Sequence, residues 1–103
     1  MAFRVILTDP AFVDVEEAAN FIWAESPVNA RRWLADFWWA VDSLKEFPFR
    51  HALIPEADAI GIPYRSLPVH SHRLVYRVDE ERSVVYVVRV YHGARKPLKL
   101  EDI

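Results

Sequence analysis

The chain has 103 residues, 52% hydrophobic and 14% aromatic, and a formal net charge of −2. It is too apolar for a disordered chain and too short for two cores, so a single domain over residues 1–103 is expected. The absence of cysteine excludes disulfides, thiolate nucleophiles and cysteine-based zinc sites.

The longest uninterrupted apolar runs, Phe37–Val41 and Val84–Val88, are five residues long, whereas a membrane helix needs about 20. No secretory leader pattern opens the chain. A cytoplasmic protein without membrane contact is therefore expected. Charge is unevenly spread. Residues 1–59 carry five basic and ten acidic side chains, and residues 60–100 carry eight basic and three acidic ones. A basic C-terminal half points to an acidic or polyanionic partner.

Phe3, Val5 and Leu7 alternate as in a short strand. Thr8-Asp9-Pro10 follows, with Asp9 read as helix cap and Pro10 as the first helical residue. Phe12, Val15, Ala19 and Ile22 recur at helical spacing. Ser26-Pro27 repeats the cap-and-proline device and opens a second helix, whose stripe is Ala30, Leu34, Phe37, Val41 and Leu44, widened by Trp33 and Trp38. That helix is expected to end near Phe47-Pro48, because proline disfavours helical geometry in the residue before it. The short link makes the two helices an antiparallel hairpin. Residues 48–63 read as a loop of about fifteen residues, long enough to be a candidate functional segment.

After Gly61 the apolar period changes from 3.6 to 2. Tyr64–Val69, His72–Val78 and Ser83–His92 read as three strands. Pairing Val78 with Val84 predicts a three-residue loop, with Leu74, Tyr76, Val78, Val84, Tyr86, Val88 and Val90 on one apolar face. The opposite face then collects Arg73, Val75, Arg77, Val85, Val87, Arg89 and Tyr91, and Arg73 lies across from Arg89. Like charges placed so are destabilising, and guanidinium forks match phosphate oxygens, so a phosphate-binding face is one reading. The other is that each arginine lays its stem over the valines. Gly93 is read as supplying a special backbone angle that turns Arg95 back toward the sheet. His70-x-His72 has no third ligand beside it, so neither a metal nor a cofactor is expected. Trp39 lies off the main stripe of the second helix beside Arg32, and Trp23 ends the first helix; outward aromatics of this kind are enriched at interfaces.

The order strand, helix hairpin, three strands resembles the RelE/ParE superfamily of toxins from bacterial type II toxin–antitoxin (plasmid stabilisation) systems. The resemblance covers nearly the whole chain. It is carried by Ser26-Pro27-x-x-Ala30, Leu44-x-x-Phe47-Pro48, Pro55-Glu56, Tyr64-Arg65-x-Leu67, His72–Asp79 and Val88–Arg95. It implies an α+β fold in which one N-terminal strand and three antiparallel strands form a four-stranded sheet packed by the helical hairpin. It also implies a cognate antitoxin, for which Trp39, Trp23 and Arg32 are the interface candidates.

The superfamily splits by target, and the resemblance leaves both branches open. RelE-like and YoeB-like members act as mRNA interferases that cut messenger RNA in the ribosomal A site and so inhibit translation. In that reading Arg73 steadies the scissile phosphate, His92 donates a proton to the leaving oxygen and Glu56 is the general base. Arg65, Arg77, Arg89, Arg95 and Tyr91 then line the RNA-binding surface. Those matching positions favour the endoribonuclease. ParE-like members instead inhibit DNA gyrase and are not nucleases, and the paired helices with their Ser26-Pro27 entry resemble that branch. A third alternative, an inactive member kept as a binding module, fits Gly93 standing where YoeB-like chains end in tyrosine.

Overall fold

The computed structural model describes residues 2–93 and 99–103. Its elements run β1 (Arg4–Leu7), α1 (Asp9–Glu25), α2 (Pro27–Ser43), a 3-10 turn (Pro48–Arg50), α3 (Ala57–Ile60), β2 (Arg65–Val69), β3 (His72–Asp79), β4 (Val84–His92) and a second 3-10 turn (Leu100–Asp102). The strands form one sheet in the order β1-β4-β3-β2. β1 runs parallel to β4, and the other two pairings are antiparallel. The α+β architecture expected from sequence is present, with a mixed sheet.

The helix starts follow from local chemistry. Thr8, not Asp9, caps α1: its N–H bonds the Val87 carbonyl at 3.0 Å, its hydroxyl donates to the Val88 carbonyl at 3.1 Å, and its Oγ1 accepts from the Ala11 N–H at 3.4 Å. The last rung of the β1–β4 ladder thus holds Thr8 extended, and the helix begins at Asp9, one residue earlier than a cap at Asp9 requires. Ser26 serves both helices. Its N–H closes α1 on the Ile22 carbonyl at 2.8 Å, and its hydroxyl accepts from the Asn29 N–H at 3.2 Å to open α2 at Pro27. α2 ends at Ser43, earlier than expected, and Phe47 sits in left-handed geometry (φ 51) before Pro48. A residue preceding proline avoids the right-handed helical region, so the chain leaves the helix well before it.

The helices bury Ala11, Val15, Ala18, Trp33, Phe37, Ala40, Val41 and Leu44 against Leu74, Tyr76, Val85, Val87 and Val90. Two aromatic residues depart from the expected stripes. Phe12 and Trp38 are half-exposed and contact each other, with ring centroids 6.5 Å apart. Trp33 alone widens the α2 stripe.

The β3–β4 register differs from the expected one by a residue at the loop and by a second at a bulge. Asp79 pairs with Val84, so the loop is Glu80–Ser83, and a register shift falls between Val75 and Tyr76. Asp79 sets that loop by accepting from the Arg82 N–H at 3.2 Å and from its guanidinium at 2.9 Å. The single-residue slip moves Val85 and Val87 to the helix side and Tyr86 and Val88 to the other. Together with the bulge it places Tyr91, not Arg89, opposite Arg73, so the repulsive arginine pair does not form. Slip and bulge together bring Val90 back to the helix side, because side chains alternate with period two.

Residues 48–63 form a cover over the second sheet face. Ile54, Ala57 and Tyr64 pack on Val75, Val88 and Tyr91, joined by Ile60, Ile62, Tyr86 and Ile103. The segment is tied down by Ile54 N–H to the Tyr64 carbonyl at 2.9 Å and Ser66 N–H to the Ala52 carbonyl at 3.2 Å. Gly61 closes α3 at φ 81, a region that glycine enters without steric cost. Gly93 has no such angle: a Cβ there meets the Ser71 carbonyl oxygen at an ordinary 3.4 Å.

Candidate functional site

On the covered face, Arg73 is the centre of a polar unit. Its guanidinium donates to the Glu56 carboxylate at 2.8 Å and to the Tyr91 hydroxyl, and lies 4.8 Å from the Tyr91 ring centroid. The Arg73 and Glu56 side chains keep 23% and 12% of their surface exposed. Two positions 17 residues apart in sequence are thus locked together by the 48–63 segment folding back over β3. Burial raises the Tyr91 phenol above its ordinary pKa, against the pull of the Arg73 charge.

His92 is turned the other way. It pairs with His72 across the ladder, their rings in edge contact at 5.2 Å, and His72 in turn meets the ring of Trp33 on α2 at 5.2 Å. Alternation along β4 therefore puts Tyr91 on the loop side and His92 on the helix side. The structure joins Arg73 to Glu56 and puts His92 on the opposite face of β4 from Tyr91.

The remaining arginines have local partners. Arg65 donates to the carbonyls of His51 at 2.7 Å and Phe49 at 3.2 Å and lies over the Phe49 ring. Arg77 sits 4.4 Å from the Tyr86 ring centroid. Arg89 is held by Asp14 through bonds of 2.7 and 3.0 Å and also reaches the Asp102 carbonyl. Hydrogen bonding to Asp14 raises the Arg89 pKa, against the burial that lowers it. Arg95 lies outside the described residues.

Asp14 is the site residue that sequence reasoning missed. It is buried on α1, and besides Arg89 its carboxylate accepts the Val90 N–H at 2.9 Å. β1 pairs with β4 only as far as Val87. Beyond it, the Asp14 carboxylate supplies the acceptor that a longer strand would have given. A signal was available: position 14 falls on the same buried stripe as Ala11 and Ala18, where a carboxylate needs a partner.

Between the turn end of the helical hairpin and the sheet lies a cleft of about 710 Å³. Arg32, Asn29 and Trp33 line it from α2, Phe21 and Ile22 from α1, and His72 and His92 from the sheet. The indole Nε1–H of Trp33 is buried and has no hydrogen-bond partner among the described residues. Trp39, 75% exposed, lines a separate, shallower depression with Asp36, and Trp23 is half-exposed beneath the Arg31 guanidinium. His70 bonds Asp36 at 2.6 Å, tying the β2–β3 turn to α2. Among the described residues no cluster of three metal-ligating side chains occurs, and no helix is long and apolar enough to cross a membrane.

The family profile described as the ParE toxin of the type II toxin–antitoxin system parDE matches residues 5–97. That is nearly the whole chain. The protein belongs to this toxin family. Three solved structures resemble it in fold. The RelBE2 toxin–antitoxin complex of Mycobacterium tuberculosis has a chain with a TM-score of 0.61 at 24% identity, covering 92% of this chain and 95% of that one. The chromosomal ParDE system of P. aeruginosa gives 0.67 at 15% identity, with 88% and 96% covered. The archaeal RelE–RelB complex of Pyrococcus horikoshii OT3 gives 0.51 at 15% identity, with 93% and 100% covered. No curated protein matches the sequence. Structures named for both branches share the toxin's fold, so the fold alone does not choose a target.

Proposed function

We infer that this toxin arrests growth as ParE-type members do, by binding DNA gyrase, and not by cutting messenger RNA. One observation carries the reading. The three residues assigned to RNA cleavage do not converge: Arg73 and Glu56 neutralise each other beside Tyr91 under the loop, and His92 lies across the sheet from them. General acid–base transfer needs acid and base within hydrogen-bond reach of one substrate. The match to the ParE family profile supports the same choice.

A cognate antitoxin is the second part of the proposal. Arg32 and Trp39 are both exposed and lie seven residues apart on α2, about two helical turns, so they share one outward stripe. Trp23, exposed at the end of α1, extends the surface. The relatives of similar fold are toxin–antitoxin complexes, and a toxin acting on gyrase in the cytoplasm needs such a partner to be held in check.

The test is a supercoiling assay with purified gyrase, relaxed plasmid and ATP, with and without the chain. Loss of supercoiling or trapping of cleaved plasmid in proportion to added chain is the expected result. Undisturbed gyrase activity in the presence of chain that is toxic when expressed contradicts the proposal.

A further inference from the structure

We propose that Phe47, held out on the turn that follows α2, is the anchor by which the toxin grips its target, entering an apolar socket rimmed by carboxylates on that protein. The proposal rests on the reading of the chain as a growth-arresting toxin, and on gyrase only for one of its assays.

Backbone geometry singles the residue out. Among the described residues, three besides glycine adopt positive φ: Phe47 at 51, His70 at 55 and Ser83 at 53. His70 and Ser83 lie in the turns that join strands, where such angles are ordinary. A bulky apolar side chain at that angle is an outlier, and the proline that follows favours an extended residue instead. The ring recovers nothing from packing. Phe47 is 75% exposed and belongs to neither apolar cluster. A glycine would make the same turn without strain. Backbone strain that folding does not use collects at functional sites.

The turn is built to hold the ring still. The Tyr76 hydroxyl fixes the Pro48 carbonyl, Arg65 those of Phe49 and His51, and Arg50 those of Ser43 and Glu46. The Arg50 N–H closes on the Phe47 carbonyl itself at 3.2 Å. An aromatic ring on a fixed backbone loses little freedom on binding, which suits an interface anchor.

Charge defines the partner. Arg50 and Arg65 spend their donors on carbonyls, which leave the positive charge in place. Neither joins an ion pair among the described residues, whereas Arg73 and Arg89 each meet a carboxylate. Residues 42–51 with Arg65 hold three bases against two acids. One of those acids, Asp42, is taken up by Lys45 at 2.7 Å. Glu46 then stands alone against two guanidiniums, and the surplus suits carboxylates around the socket.

The test compares wild-type chain, Phe47→Gly and Arg50→Gln in two assays: growth on induced expression at equal soluble level, and supercoiling by purified gyrase. Glycine suits the left-handed angle, so Phe47→Gly should unfold at a temperature no lower than wild type. It is expected to permit growth, and to need at least about tenfold more chain for half-inhibition of gyrase. Arg50→Gln should need about threefold more, the worth of a charge at the rim. A folded Phe47→Gly chain that still arrests growth overturns the proposal, and unchanged potency of Arg50→Gln overturns the acidic rim. A lower unfolding temperature for Phe47→Gly also overturns it, because the ring then serves the fold. So does self-association of the wild-type chain that Phe47→Gly abolishes, which gives the ring to a second copy. Wild-type chain that arrests growth with gyrase undisturbed, while Phe47→Gly permits growth, sinks the gyrase reading and supports the anchor. Wild-type chain that leaves growth untouched overturns both.

Discussion

The two faces of the sheet are covered by different means. On the helix side, Phe37, Leu44, Leu74, Val85 and Val87 are buried in contact with other apolar groups. On the loop side the apolar cluster is smaller, and Arg73, Glu56 and Tyr91 join it through charge and hydrogen bonds. The first face is stabilised by removal of apolar surface from water, which is insensitive to small displacements. The second depends on directional contacts, where one missing partner leaves another uncompensated. A covering segment with only a four-residue helix of its own needs such contacts to stay in place.

This contrast predicts graded effects of substitution. Phe37→Ala should destabilise the chain most, by about 3–5 kcal/mol, because a fully buried ring is replaced by a cavity. Chemical denaturation measures it. Asp14→Ala comes next at about 2–3 kcal/mol, since it strips the Arg89 guanidinium and the Val90 N–H of their acceptor at the seam of helix and sheet. Asp14→Asn should recover part of the loss by keeping one acceptor oxygen. Recovery to wild-type stability would mean that the charge on Asp14 contributes nothing.

The loop side is probed by a double-mutant cycle on Arg73→Gln and Glu56→Gln. A coupling of about 1 kcal/mol is expected from a partly shielded pair. A coupling near zero would leave the cover held by apolar contacts alone and erase the contrast between the faces.

Tyr76 joins the two regions, with its ring in the helix-side core and its hydroxyl donating to the Pro48 carbonyl at 2.6 Å. Tyr76→Phe should cost about 1 kcal/mol. Burial pushes the Tyr76 phenol from 10.0 up to about 12. A raised folded-state value means that the protonated form is favoured by folding. The corresponding stability is fully present below pH 10 and is lost as pH rises through 12. The wild-type chain should lose this increment between those values in alkaline unfolding curves, and Tyr76→Phe should not. Least of all for folding, Trp39→Ala should change stability by no more than about 0.5 kcal/mol, while weakening antitoxin binding by more than about 1 kcal/mol. Unchanged affinity in a calorimetric titration would remove this stripe from the interface.

Much of the fold was legible because local signals agreed with tertiary demands. Ser26-Pro27 both ends and begins a helix, and the change of period after Gly61 separates the hairpin from the strands. The register was less legible. Loop length between Val78 and Val84 depends on Asp79 bonding Arg82, and the bulge near Val75 has no marker in the strand sequence itself. Those shifts decide that Arg73 faces Tyr91, and therefore what the arginine does.

The site was half visible. Arg73, Glu56 and His92 stood out as residue types and positions, but the face each occupies follows from strand parity and from a covering segment whose fold depends on long-range contacts. Asp14 looked like one more acid on an acidic helix. Only the end of β1 at Leu7, which leaves the Val90 N–H without a strand partner, reveals its purpose.

The central claim is that Arg73 and Glu56 serve the cover of the sheet and do not cut RNA with His92. Primer extension on a reporter message undergoing translation in vitro, with purified chain added, tests it most directly. An unchanged pattern of 5′ ends is the predicted result. New ends at A-site codons that require ribosomes and vanish with His92→Ala would contradict it.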